Sequence, residues 1–141
     1  DCDVGELLAE VTRSASTSDR EVTLEANGDF HILVRPNAIR RCITNLVVNA
    51  CTHAETVRVT AERRGTLVEI CVDDDGPGIP ESEREAVFKP FYRLDSSRNP
   101  QTGGTGLGLS IARDLARGDG GDVVLEDSPL GGLRAKIRLP V

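Results

Sequence analysis

A chain of 141 residues fits one domain, and at this size folding buries roughly two-thirds of the surface that the unfolded chain exposes, so one real core is expected. Hydrophobic residues at 38% and charged residues at 28% exclude disordered and collagen-like chains, while an aromatic content of 3% leaves the core to Val, Leu, Ile and Ala. With 17 Lys and Arg against 23 Asp and Glu, a net charge of -6, no Trp and one Tyr, the chain lacks the positive field and stacking rings that suit nucleic acid or an anionic membrane surface.

In chain order, Val4 to Val11 (VGELLAEV) has helical spacing, and a polar loop from Ser14 to Arg20 follows. Glu21 to Ala26 and Phe30 to Val34 flank Asn27-Gly28, a strong turn pair, and predict a hairpin. Pro36 stands where a helix would start. From Asn37 to Cys51 the apolar residues Ile39, Ile43, Leu46, Val47 and Ala50 share one helical face. Val57, Val59 and Ala61 then alternate with Arg58, Thr60 and Glu62, and after Arg64-Gly65 the run Val68, Ile70, Val72 alternates again, which predicts two strands joined by a turn.

Pro80 to Gly104 is polar, rich in Pro, Gly and Ser, and longer than an ordinary connection, which reads as a lid ahead of a disordered segment. Leu107 to Arg117 predicts a helix ending near Gly118, Gly120 and Gly121, and Val123 to Glu126 pairs with Leu133 to Leu139 across the turn Ser128 to Gly132. In that last strand Leu133, Ala135, Ile137 and Leu139 alternate with Arg134, Lys136 and Arg138, so one face is buried and the other solvated. Three helices and about six strands, mostly in hairpins, predict a sheet with the helices layered on one side.

Cys2, Cys42, Cys51 and Cys71 show no metal-ligand or CxxC spacing, and three lie in apolar runs, so buried reduced thiols are expected. No stretch approaches the ~18 apolar residues of a membrane span, and no signal-peptide pattern opens the chain. The absence of Met makes the sequence read as part of a longer protein.

Three local sequences call for a chemical reason. On the helix from Asn37 to Cys51, Arg41, Asn45, Asn49 and Thr52 share the face opposite the apolar stripe. Asn amides offer oxygen to a hard cation such as magnesium and NH2 to a phosphate oxygen; two Asn four apart are also what a solvated helix face looks like. Asp74-Asp75-Gly76-Pro77-Gly78-Ile79 follows a buried strand, where a carboxylate can accept from an exocyclic amine and glycines let backbone approach a flat ring; an acidic turn is the plain alternative. Gly103-Gly104-Thr105-Gly106-Leu107-Gly108-Leu109 opens a helix, where free N–H groups and the helix dipole suit phosphates, or where a hinge would sit. It is neither a Walker loop nor a dinucleotide fingerprint.

Read together, these segments resemble the motif set of sensor histidine kinases. Asn45 to Ala54 resembles the N box, Asp74 to Ile79 the G1 box, Phe88-Lys89-Pro90-Phe91 the F box and Gly104 to Leu109 the G2 box. The run Arg41 to Ala50 (RCITNLVVNA) is similar to the EnvZ-type osmosensor group, and Gly131-Gly132-Leu133 with Leu139-Pro140 looks like the end of such domains. The resemblance implies the Bergerat, or GHKL, fold: an α/β (α+β) two-layer sandwich with a mixed sheet on one side and three helices on the other. It also implies ATP with Mg2+, Asn49 as metal ligand, Asn45 at the phosphates and metal waters, and Asp74 on the adenine amine.

By the same resemblance Gly76 and Gly78 shape the base pocket, and Gly104, Gly106, Leu107 and Gly108 present donors to the phosphates. Phe88 and Phe91 anchor the lid, which carries Arg93 and Arg98, with Arg98 toward the γ-phosphate. The implied partners are a histidine-bearing dimerisation domain and, downstream, a response regulator, in the cytoplasmic portion of an inner-membrane sensor kinase; this part is expected to be a monomer when isolated, without membrane contact.

The sequence departs from the family at Thr52, where Lys or Arg is usual and would meet phosphate more strongly, and at Asp119, where His is common. The family's acceptor histidine precedes an acidic residue, which excludes His31, followed by Ile32; His53 ends the N box and is read as packing. GHKL ATPases place a Glu general base four residues before the metal-binding Asn, and that position is Asn45, which cannot take a proton. A nucleotide-binding regulatory module is the other alternative, with an anti-sigma serine kinase behind it.

Overall fold

The computed structural model describes residues 2–16, 21–26, 28, 30–89 and 108–140. The first strand, β1 (Cys2–Asp3), runs into helix α1 (Val4–Ala15), whose start is capped by the Asp3 carboxylate accepting from the Glu6 N–H at 3.1 Å. Its stripe of Val4, Leu7, Leu8 and Val11 is buried.

Strands β2 (Glu21–Ala26) and β3 (His31–Ile32) come next, then helix α2 (Pro36–His53) with proline in its first turn and Ile39, Ile43, Leu46, Val47 and Ala50 buried along one side. Strands β4 (Thr56–Arg64) and β5 (Leu67–Asp74) form a hairpin around Gly65, whose φ is 59°. Two short 3-10 turns, Glu81–Glu83 and Ala86–Phe88, precede helix α3 (Gly108–Gly118), and strands β6 (Asp122–Asp127) and β7 (Leu133–Pro140) close the fold as a second hairpin.

Five strands form one sheet in the order β2-β4-β5-β7-β6. β2 is parallel to β4 and every other neighbour is antiparallel, so the sheet is mixed. Its register sets Val22, Val57, Val72, Ile70, Ile137 and Val123 on one face, where α1 packs on β2, α2 on β4 and β5, and α3 on β6. This is the predicted two-layer sandwich, with the whole core between the layers. All four cysteines are buried and none is in a disulfide, and among the described residues no helix is long and apolar enough to cross a membrane.

The hairpin predicted across Asn27-Gly28 does not form. β2 joins β4 instead, through a crossover by way of α2, and β3 pairs antiparallel with β1, Cys2 opposite Ile32. The physical reason lies in what each run can bury. Val22, Leu24 and Ala26 continue the inner face of β4 beside Val57, Val59 and Ala61, whereas Phe30, 2% exposed, is drawn to the start of α1, where its carbonyl accepts from the Val4 N–H at 3.0 Å. β1 had no signal in the sequence, being two residues long. The opening stretch of the predicted lid, residues 80–89, holds the two 3-10 turns, with Val87 and Phe88 buried; the rest of that segment lies outside the described residues.

Candidate functional site

The alternation of β5 sends Val68, Ile70, Val72 and then Asp74 to the helix-covered face, so the strand's apolar period ends on a carboxylate that is only 4% exposed. Burying that group requires donors. Its Oδ1 accepts from the backbone N–H of Gly76 and of Leu133, both at 3.0 Å, and its own carbonyl accepts from the Gly132 N–H at 3.1 Å. Among the described residues no donor reaches the other oxygen, Oδ2.

The turn after Asp74 tolerates no side chain at two points. A Cβ on Gly76 would lie 2.6 Å from the His53 carbonyl oxygen, and a Cβ on Gly132 would lie 2.6 Å from both the Asp74 carbonyl oxygen and the Gly76 nitrogen. Gly78, at φ 74°, rests against the Gly132 backbone. Gly132, read from the sequence as part of the closing turn and of a family-like domain end, packs here against the end of β5. Its signal was the Gly-Gly pair before β7, but nothing local in that pair points to a strand end 58 residues earlier in the chain (132 against 74).

Asp75 fastens the same turn to α2. Its Oδ1 accepts from the N–H groups of Glu55 and Thr56, each at 3.1 Å, and its own N–H donates to the Thr56 carbonyl at 3.2 Å. These bonds, the one from Thr56 foremost, hold its carboxyl below the usual carboxylate value against a smaller desolvation effect. The end of β5 and the end of α2 thereby become one unit, and a concavity of about 410 Å3 lies over it, with Thr52, His53, Glu55, Asp75 and Gly76 among its walls. Asp74, Asn45 and Asn49 do not line this concavity.

Asn45 and Asn49 are half-buried on the α2 edge that ends at Thr52, and among the described residues neither amide has a hydrogen-bond partner. The Thr52 hydroxyl is turned back to donate to the Val48 carbonyl at 2.9 Å, and the residue is exposed. Gly108 is the first residue of α3, with open space where a Cβ would stand. Phe88 is 8% exposed beneath the Arg113 guanidinium, which is 4.0 Å from the ring centre. Phe91, Arg93, Arg98, Gly104, Gly106 and Leu107 lie outside the described residues.

His53 is exposed at the end of α2, and His31 stands 3.6 Å from the Asp3 carboxylate, on the β1–β3 pair. Asp119 pairs with Arg35 at 3.1 Å, joining the end of α3 to the start of α2. Among the described residues no three His, Cys, Asp or Glu side chains cluster as a metal site. A cation here would depend on amide oxygens, and the two unengaged Asn side chains fit magnesium, which takes few protein ligands and keeps its waters.

A mixed sheet covered on one face by three helices, with glycine-rich turns at one end, defines the Bergerat class of two-layer sandwich. The chain belongs to the histidine kinase-, DNA gyrase B-, and HSP90-like ATPase family, whose model matches residues 34–141. It is 43% identical over 117 residues to the sensor histidine kinase CpxA of Escherichia coli K12, which is 81% of this chain and 25% of that protein. The crystal structure of the ATP binding domain of PrrB from Mycobacterium tuberculosis superposes with a TM-score of 0.83 at 34% identity, over 99% of this chain and 94% of that one. The NMR structure of the histidine kinase domain of the E. coli osmosensor EnvZ gives 0.75 at 34% identity, over 99% and 87%. The chain spans between 21% and 31% of the length of the curated relatives it matches.

The Asp75 bonds make a pH prediction. A carboxyl whose folded pKa is lowered stabilises the fold fully above its ordinary value of 3.8, and that contribution is lost as pH falls through the lower folded value. Thermal melting of wild type and Asp75→Asn should therefore differ most at neutral pH, with wild type higher, and the gap should shrink below about pH 4. A gap independent of pH would mean that charge on Asp75 is immaterial.

Proposed function

We propose that this domain binds Mg-ATP and transfers the γ-phosphoryl group to a histidine on a separate helical dimerisation domain, as the catalytic part of a two-component sensor kinase. A response regulator then takes the phosphate. Membership of the family and likeness to sensor kinases support the class of reaction. The observation that carries the site assignment is the division of labour on Asp74, whose Oδ1 is spent on two backbone donors while Oδ2 is left to accept from an adenine amine.

Asn49 would hold magnesium, with Asn45 beside it toward the phosphates; the bound ion supplies charge neutralisation on the phosphate oxygens. Gly76 and Gly78 keep the backbone close to the base, and the N-terminus of α3 at Gly108, together with Gly104, Gly106 and Leu107, presents N–H donors to the phosphates. Phe88 and Phe91 anchor the segment that carries Arg98, whose guanidinium meets the γ-phosphate. Thr52, with its hydroxyl on Val48, leaves phosphate contacts to these groups. Catalysis is then positioning and charge stabilisation, with the acceptor imidazole as nucleophile. Hydrolysis as the main activity is disfavoured by Asn45, because an amide takes no proton from water.

Two outcomes follow. In Asp74→Asn the new amide must keep its oxygen on the Gly76 and Leu133 N–H groups, so its NH2 turns toward the base. That NH2 repels the adenine amine and suits a 6-oxo group. ATP should bind about tenfold more weakly and ITP more tightly than to wild type, by calorimetry. Unchanged ATP affinity would remove the base-reading role. The reaction itself is tested by mixing the domain with γ-labelled ATP and a separately supplied dimerisation domain. Label should appear on that domain's histidine and not on this chain; label retained here and lost in a His31 or His53 variant would overturn the reading.

A further inference from the structure

The segment that ends in Phe88, the outgoing stem, packs against α3, whose first residue, Gly108, is the incoming stem. The Arg113 side chain ties the two stems together. Arg113, on the second turn of α3, has its guanidinium 4.0 Å from the centre of the Phe88 ring. Its terminal nitrogens donate to the two Glu85 oxygens at 2.7 and 3.4 Å, and its Nε donates to Asp122 at the start of β6 at 3.1 Å. The Arg113 side chain is only 11% exposed, whereas that of Glu85 is 81% exposed. A nearly buried guanidinium held by a ring, by one carboxylate on the outgoing stem and by another on the sheet is a three-way brace.

We propose that Arg113 is a positioning residue that holds the outgoing stem, Glu85 to Phe88, against α3 and so fixes the place of Gly108, where the incoming stem meets the phosphates of the nucleotide. The inference rests on the nucleotide reading of the site and adds a residue outside every motif box. Its logic is entropic. Pinning the outgoing stem to α3 removes relative motions of these two elements that a nucleotide bound at Gly108 would otherwise have to freeze. A lysine cannot replace the fork, because one ammonium cannot serve Glu85 and Asp122 in their different directions while covering the ring. The base end of the site is held separately, by hydrogen bonds of Asp74, Asp75, Gly76 and Gly132 that do not involve Arg113.

That separation supplies the test. Binding of ATP and of adenosine is measured by NMR titration of the labelled domain for wild type, Arg113→Gln, Arg113→Lys and Glu85→Gln. Arg113→Gln should weaken ATP about tenfold and change adenosine less than about twofold, Arg113→Lys should fall between, and Glu85→Gln should weaken ATP alone by about two- to threefold. Asp122 keeps a partner in these variants, since the Arg117 Nε also donates to its Oδ1 at 3.1 Å. Equal losses for ATP and adenosine, or full ATP affinity in either Glu85→Gln or a folded Arg113→Gln, would overturn the proposal; if Arg113→Gln does not fold, Glu85→Gln decides. Wild type that binds neither ligand would instead defeat the nucleotide reading.

Discussion

The two hydrogen bonds accepted by Oδ1 of Asp74 are the constraint on which the rest of the site depends. A carboxylate that is 4% exposed has lost most of its water and must be met by donors, and here the donors are backbone N–H groups from two distant parts of the chain. Because they are backbone, Gly76 must fold back over the end of β5 and the start of β7 must lie beside it. There is no room for a Cβ on either glycine. The carboxylate is thereby held with one oxygen committed to the backbone and the other without a donor among the described residues.

Three consecutive carboxylates divide the work of locking this corner. Asp73, fully buried on the opposite face of the sheet, takes a forked pair from Arg134 at 2.8 and 3.2 Å, joining β5 to β7. Asp74 joins the same two strands from the inner face. Asp75, one residue beyond the strand, turns to the α2–β4 connection and brings the end of α2 against the turn. Strand alternation makes this possible, since neighbouring residues on a strand must point apart. At the other end of the site Arg113 does comparable work with a single side chain, bracing α3, β6 and the segment around Phe88.

What could be read from the sequence was what is local. The β4–β5 and β6–β7 hairpins, α2 and the helix read over Leu107 to Arg117, which runs over Gly108–Gly118, follow from period and turn chemistry within a few residues. The pairing of β2 was misassigned because Asn27-Gly28 is a local signal, whereas the β2–β4 contact is a crossover partnership decided by which strand extends a shared apolar face. Gly132 and Arg113 were missed for the same reason. A glycine beside a turn and an arginine on a helix carry no mark of a partner far along the chain. Thr52 is exposed near the end of α2, and its hydroxyl bond to Val48 is a choice of rotamer that spacing cannot report.

Whether one oxygen of Asp74 stays on the backbone while the other reads the base is decided by a crystal structure of the domain with magnesium and a non-hydrolysable ATP analogue. The adenine amine should lie within hydrogen-bond distance of Oδ2, about 2.9 Å, with the Gly76 and Leu133 bonds to Oδ1 unbroken. An adenine bound away from Asp74, or a carboxylate that abandons either backbone donor to reach it, would contradict the account.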